Sequence, residues 1–77
     1  MNNKSKQKRL MIIGASWEQV PLIKTAKNMG YYILATSPDK DSEGLDLADE
    51  KAIVDPRDLT QLLKIAKSYS PDGITSD

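Results

Sequence analysis

The residues best placed to do chemistry are Gly14, Ala15 and Ser16, in the stretch MIIGASWEQVP that runs from residue 11 to residue 21. An apolar run ends in glycine, small residues follow, and a helical pattern begins, which is how phosphate and dinucleotide loops open. A glycine there lets backbone approach a ligand closely. A helix start behind it would offer free amides with partial positive charge, so a phosphate or carboxylate would be stabilised. Ser16 could add a hydroxyl donor where it is not consumed as a helix cap. A purely structural alternative stays open, because any tight strand-to-helix turn can use a glycine and a serine cap.

Neither nucleotide fingerprint is complete. Ser16 and Gln19 stand where the dinucleotide motif needs its second and third glycines, so a side chain would meet the pyrophosphate and helix-strand packing would be hindered. No GK[ST] follows Gly14, which removes the P-loop. Asp39 lies beyond the second apolar run, where a ribose-binding acid would be sought, but Pro38 and the acidic residues after it favour a solvated turn. DKDSEG, with Asp39, Asp41 and Glu43, does not continue into a calcium-loop register. With no His and no Cys, a Ser-His pair, the common zinc sites and a disulfide framework are all excluded.

The elements that would position this loop follow from the spacing of apolar residues. Leu10 to Ile13 reads as a short buried strand stopped by Gly14. Ser16 and Gln19 have capping-box spacing, and Pro21 in the first turns predicts an irregular start. Leu22, Ile23, Ala26 and Met29 form the expected apolar stripe of the first helix, with Gln19 at its edge and Gly30 as its stop. Trp17 and Val20 lie off that stripe. YYILATS reads as a second strand, PDKDSEG as a loop, LDLAD as one helical turn and KAIVD as a third strand. Asp58 and Gln61 repeat the cap spacing before a second helix, with Leu59, Leu62, Leu63, Ala66 and Tyr69 as its stripe. SPD breaks that helix, and GITSD reads as a fourth strand.

Alternation of this kind implies an α/β fold: a small parallel four-stranded sheet of order 3-2-1-4 with one helix on each face, half of a Rossmann-like fold. The winding then reverses between the first and fourth strands, and ligands bind at the carboxyl ends of strands beside such a switch point. Gly14 to Ser16, Thr36 to Asp39 and the terminal TSD form its rim. The chain stops on that rim with the fourth strand as an open edge, so we expect a truncated N-terminal piece, with residues 1–8 a flexible basic terminus and 9–77 the domain.

Composition bounds the partners. Formal charge is zero, and Lys4, Lys6, Lys8 and Arg9 form a basic run without interleaved aromatics, so no nucleic-acid partner is expected. No apolar run approaches the roughly 20 residues that span a bilayer, and no signal-peptide apolar region is present. A cysteine-free chain fits a reducing cytoplasm.

Taken in order, the Gly14 loop with Pro21 in the first helix, AKNMGYYILATS leading to an acidic turn, LADE around Asp49, the VDPRD step and PDGITSD together resemble the N-terminal, pre-ATP-grasp domain of ATP-grasp carboxylate–amine ligases. The similarity runs over residues 9 to 77 and is strongest to carbamoyl-phosphate-synthase-like and biotin-carboxylase-like enzymes. It implies a parent ligase that activates a carboxylate as an acyl phosphate for attack by an amine or similar nucleophile. ATP and magnesium would be held by ATP-grasp domains beyond this sequence, leaving no cofactor, metal ligand or catalytic residue in the fragment itself. It further implies that Gly14, Ala15 and Ser16 contact a small carboxylate or amine substrate, with Thr36, Ser37 and Asp39 on the neighbouring rim. Asp49 would tie the loop before the third strand. Two other classes stay open: a free-standing Rossmann-like module that binds an anion or nucleotide, and an interaction domain that forms a homodimer through its edge strand and Trp17.

Overall fold

The computed structural model describes residues 7–76. Lys4 and Lys6 of the basic run, and Asp77 of the expected rim, lie outside the described residues. Gln7 and Lys8 are already tied to the fold. Gln7 Nε2 donates to the Gly30 carbonyl at 2.9 Å, and the Tyr32 amide donates to the Lys8 carbonyl at 2.8 Å.

Strand β1 (Arg9–Ile13) leads through a 3-10 turn (Trp17–Gln19) into helix α1 (Val20–Asn28) and strand β2 (Tyr32–Ser37). A second 3-10 turn (Glu43–Leu47) precedes β3 (Glu50–Ile53), helix α2 (Leu59–Tyr69) and β4 (Gly73–Ser76). All pairings are parallel and the order is β3-β2-β1-β4, as alternation predicts. Strand side chains alternate between faces, so successive β1 residues serve different helices. Met11 and Leu34 pack with Leu62 and Tyr69 of α2, whereas Ile12 and Ile33 pack with Ile23 and Ala26 of α1.

The irregular helix start is present, but the first capping box is not. Ser16 makes no side-chain cap bond; its carbonyl accepts the Gln19 amide at 2.9 Å, and the chain tightens into the 3-10 turn. Pro21 then falls in the first α turn, where its missing amide costs no helical bond. Asp58 does cap α2, its Oδ1 accepting the Gln61 amide at 3.1 Å.

Both expected helix stripes need correction. In α1, Ile23 and Ala26 are buried, but Leu22 and Met29 are exposed. Met29 is the residue that ends the helix, and its side chain is exposed there. In α2, Leu62, Ile65, Ala66 and Tyr69 face the sheet, while Leu59 and Leu63 are 68% and 64% exposed. At about 100° per residue Leu63 lies well round the helix from Leu62, whereas Leu59 lies only about 60° from it and is exposed as the first residue of the helix. Among the described residues α2 is the one helix on this face of the sheet, so no further element covers its outer flank.

Asp49 anchors the lower end of the sheet, as expected. Its Oδ2 accepts the Ile33 amide at 2.8 Å, its own amide donates to the Ile33 carbonyl at 3.0 Å, and Oδ1 pairs with Lys27 Nζ at 3.2 Å. Near the same end the Tyr69 hydroxyl donates to the Tyr32 carbonyl at 2.6 Å. The Arg9 guanidinium lies over the Tyr69 ring, 4.2 Å from its centroid.

Candidate functional site at the strand carboxyl ends

At the switch point the chain forms a cleft of about 630 Å³, within the usual range for small-molecule sites. Gly14, Ser16, Ser37 and Asp39 line it, so four of the six expected site residues converge there. Ala15 and Thr36 do not. Both are buried beneath the rim, where the Ala15 amide donates to the Thr36 carbonyl at 2.9 Å and the Thr36 hydroxyl points to the Ile12 carbonyl. They hold the loop in place and do not face the cleft.

Glycine is required at two points of this rim. Gly14 has φ 88°, in the left-handed region that allows β1 to turn sharply. Gly44 donates its amide to the Ala15 carbonyl at 3.0 Å, and a Cβ there would lie 2.7 Å from that same oxygen. The loop after β2 thus docks on the loop after β1 through backbone, and one wall of the cleft is fixed to the other.

The amides of the three loop residues expected to contact a ligand, Gly14, Ala15 and Ser16, are already used. Gly14 and Ala15 both donate to the Thr36 carbonyl, Ser16 donates to Gly14, and Gln19 donates to Ser16. The 3-10 turn behind them runs straight into α1, and its first residues, Trp17 and Glu18, do not line the cleft. The Ser16 side chain, released from capping, is half-buried on the cleft wall with its hydroxyl directed to no cap amide. On the second rim Ser37 and Ser42 share a hydroxyl–hydroxyl bond, and the Asp39 amide donates to Ser37 Oγ at 3.2 Å. The Asp39 carboxylate accepts the Asp41 amide at 2.9 Å and stays exposed. It is therefore a solvated turn residue that also stands on the cleft.

Sequence alone does not reveal the opposite wall. Pro56, Leu59 and Leu62 at the start of α2, with Ile13 and Pro38, make it apolar, and Ser42 and Ser76 complete the rim. Leu59 carries a signal, an apolar residue at the first helical position, but helical spacing assigns it to the core. Beside this wall Arg57 binds both oxygens of Asp55, through Nε at 3.1 Å and Nη2 at 2.9 Å. The side-chain and backbone hydrogen bonds from Arg57 hold the Asp55 carboxyl down at about 2.

Among the described residues no group of three or more acidic side chains is placed to hold a metal ion. With the amides of Gly14 and Ser16 bonded to backbone and no lysine or arginine on the cleft wall, the residues that line it do not fit a triphosphate with its magnesium. No helix of the described residues is long and apolar enough to cross a membrane.

No protein-family model matches the chain, and no curated protein matches it by sequence. Solved structures do match. N5-carboxyaminoimidazole ribonucleotide synthetase from Thermotoga maritima superposes with a TM-score of 0.83 at 27% identity, covering 92% of this chain and 19% of that one. An ADP complex of N5-carboxyaminoimidazole ribonucleotide synthetase gives 0.81 at 28% identity, covering 91% and 18%. Phosphoribosylglycinamide synthetase from Anaerococcus prevotii gives 0.77 at 34% identity, covering 91% and 18%. The chain thus spans less than a fifth of the length of these synthetases. In strand order, extent and residues it is similar to the N-terminal, half-Rossmann domain of ATP-grasp ligases, the family its sequence resembles.

Proposed function

We propose that the chain is the substrate-side domain of an ATP-dependent ligase that activates a carboxylate as an acyl phosphate for attack by an amine or similar nucleophile. The observation that carries this reading is the match itself: nearly the whole chain superposes on a small part of several synthetases. The cleft supports it as well, because an enzyme that holds its nucleotide elsewhere can build this rim without phosphate-binding amides. Gly14, Ser16, Ser37 and Asp39 contact the substrate, Ala15 and Thr36 position them, and ATP with magnesium belongs to the ATP-grasp domains of the complete ligase. The test is an assay of the complete product of the native reading frame. ADP release that requires both a carboxylate and an amine is expected. ATP turnover indifferent to both, or none, contradicts the reading.

A second reading, self-association, is favoured by one asymmetry. The open β3 edge carries Glu50 and Lys51, the usual protection of an exposed strand, but β4 is the uncharged sequence GITS. Ile74 is 55% exposed and lies in register with Met11, hence on the α2 face of the sheet. The flank of α2 toward β3 carries Lys64, Ile65 and Ser68 around a smaller cavity, which leaves Leu63 on the flank toward β4. The occupant we assign to this strip is a second copy. A two-fold pairing of β4 with β4 keeps both α2 helices on one face, joins the two apolar strips and opposes no like charge within the GITS strands. Sedimentation over a range of concentrations should show a monomer–dimer equilibrium that Ile74→Lys shifts to monomer. A wild-type chain that stays monomeric throughout rules this pairing out.

A further inference from the structure

Resting on the substrate-side reading, we infer that this cleft takes the amine-bearing, apolar end of the acceptor and turns its anionic end away. Three observations bear on the charge it prefers. The first is the loop: Gly14 and Ser16, its two residues on the cleft wall, and Ala15 between them all have their amides bonded to backbone carbonyls, so these amides are not open to an anion in the cleft. The second is the start of α2, where the Leu59 amide donates to the Arg57 carbonyl, Gln61 to the Asp58 carboxylate and Leu62 to the Asp58 carbonyl. At both helix starts the amides of the residues that line the cleft, Gly14, Ser16, Leu59 and Leu62, are already used.

The third is the distribution of side-chain charge. Asp39 is the one charged residue on the cleft wall among the described residues. The segments that frame the cleft, 39–43 and 55–58, carry Asp39, Asp41, Glu43, Asp55 and Asp58 against Lys40 and Arg57. Lys40 pairs with Asp41 at 3.7 Å and Arg57 with Asp55 at 2.9 Å, which leaves the carboxylates of Asp39, Glu43 and Asp58 without a cation in these segments. A concave surface bordered by carboxylates on a low-dielectric wall concentrates cations and repels anions. The wall itself, with Pro38, Pro56, Leu59 and Leu62, accepts an apolar body, and the hydroxyls of Ser16 and Ser76 on its rim accept hydrogen bonds from N–H groups. An apolar amine or amidine satisfies wall, hydroxyls and carboxylate together. A carboxylate or phosphate meets no cation on this wall.

Three ligands of one shape and different charge test this: benzamidine, benzamide and benzoate, with inorganic phosphate as a fourth. Each is titrated into the isotope-labelled chain and read from the amide resonances of Gly14, Ser16, Asp39 and Leu59. Benzamidine is expected to shift these residues saturably in the millimolar range, benzamide more weakly, and benzoate and phosphate least. Asp39→Asn should weaken benzamidine by roughly three- to fivefold, the effect of an exposed ion pair, and leave benzamide unchanged. Leu59→Ala, at a position with little burial to lose, should weaken benzamidine and benzamide alike. Benzoate or phosphate binding as tightly as benzamidine overturns the inference. So does an absence of cleft shifts with benzamidine at tens of millimolar, or an Asp39→Asn chain that binds as the wild type does. Because these titrations need no ATP-grasp domain, their outcome is independent of the ligation assay.

Discussion

The Tyr69 hydroxyl shows how much of this small sheet depends on single polar atoms. It is buried under α2 and donates to the Tyr32 carbonyl, and burial pushes its pKa up from 10.0 to about 12. Because the neutral form is favoured in the folded state, the stabilisation is fully present below pH 10 and is lost as pH rises through about 12. The Tyr32 hydroxyl, raised by its hydrogen bond to Glu50, acts in the same direction. Urea midpoints measured from neutral to alkaline pH should fall steeply for the wild type. Tyr69→Phe should start about 1 kcal/mol lower, the net worth of one hydrogen bond, and fall less. Equal slopes would show that the Tyr69 hydroxyl is not linked to folding. At this scale sequence is informative where the role is local. Asp49 is legible through the family resemblance that LADE helps to carry, and Gly14 because a glycine that stops an apolar run marks a tight turn. The rank of Ala15 and Thr36 is not, since facing a cleft and supporting it from below need the same small side chains.

Between elements, two capping boxes of identical spacing give opposite results, and the cause is the chain immediately beyond each. Asp58 precedes a helix free to start at once, so its carboxylate takes the Gln61 amide. Ser16 precedes Pro21 by five residues, and the intervening 3-10 turn lets the Ser16 carbonyl, not its hydroxyl, meet Gln19. Asp58→Ala should therefore destabilise the chain by about 1 kcal/mol in urea unfolding, whereas Ser16→Ala should leave its midpoint unchanged. A comparable loss from both would mean that Ser16 caps after all. The number, type and order of elements are legible because alternation of apolar runs with amphipathic stretches admits few topologies. The phase of each helix stripe is not. Leu59, Leu63 and Met29 are apolar at near-helical spacing, but Leu59 opens α2, Met29 ends α1 and Leu63 lies on the outer flank of α2, so all three are left outside.

On the scale of the molecule, polar anchoring and ligand access are separated along the strands. Arg9, Asp49, Tyr69 and Asp72 tie the amino ends together, the last through Arg9 N–H donation to its carboxylate at 2.8 Å. The carboxyl ends are left to backbone-docked loops and an apolar wall. The switch point could be located from the strand order alone, but its chemistry could not, because the fate of each loop amide depends on contacts between Gly14, Thr36 and Gly44 that lie far apart in sequence. A rim that positions substrate while nucleotide binds elsewhere should be indifferent to nucleotide. Titrating the isotope-labelled chain with ATP and magnesium, read at the amides of Gly14, Ser16 and Asp39, tests that directly. No saturable shift is expected at these residues up to millimolar nucleotide. Saturable micromolar binding centred on Gly14 to Ser16 would refute the division of labour and make the chain a nucleotide-binding module in its own right.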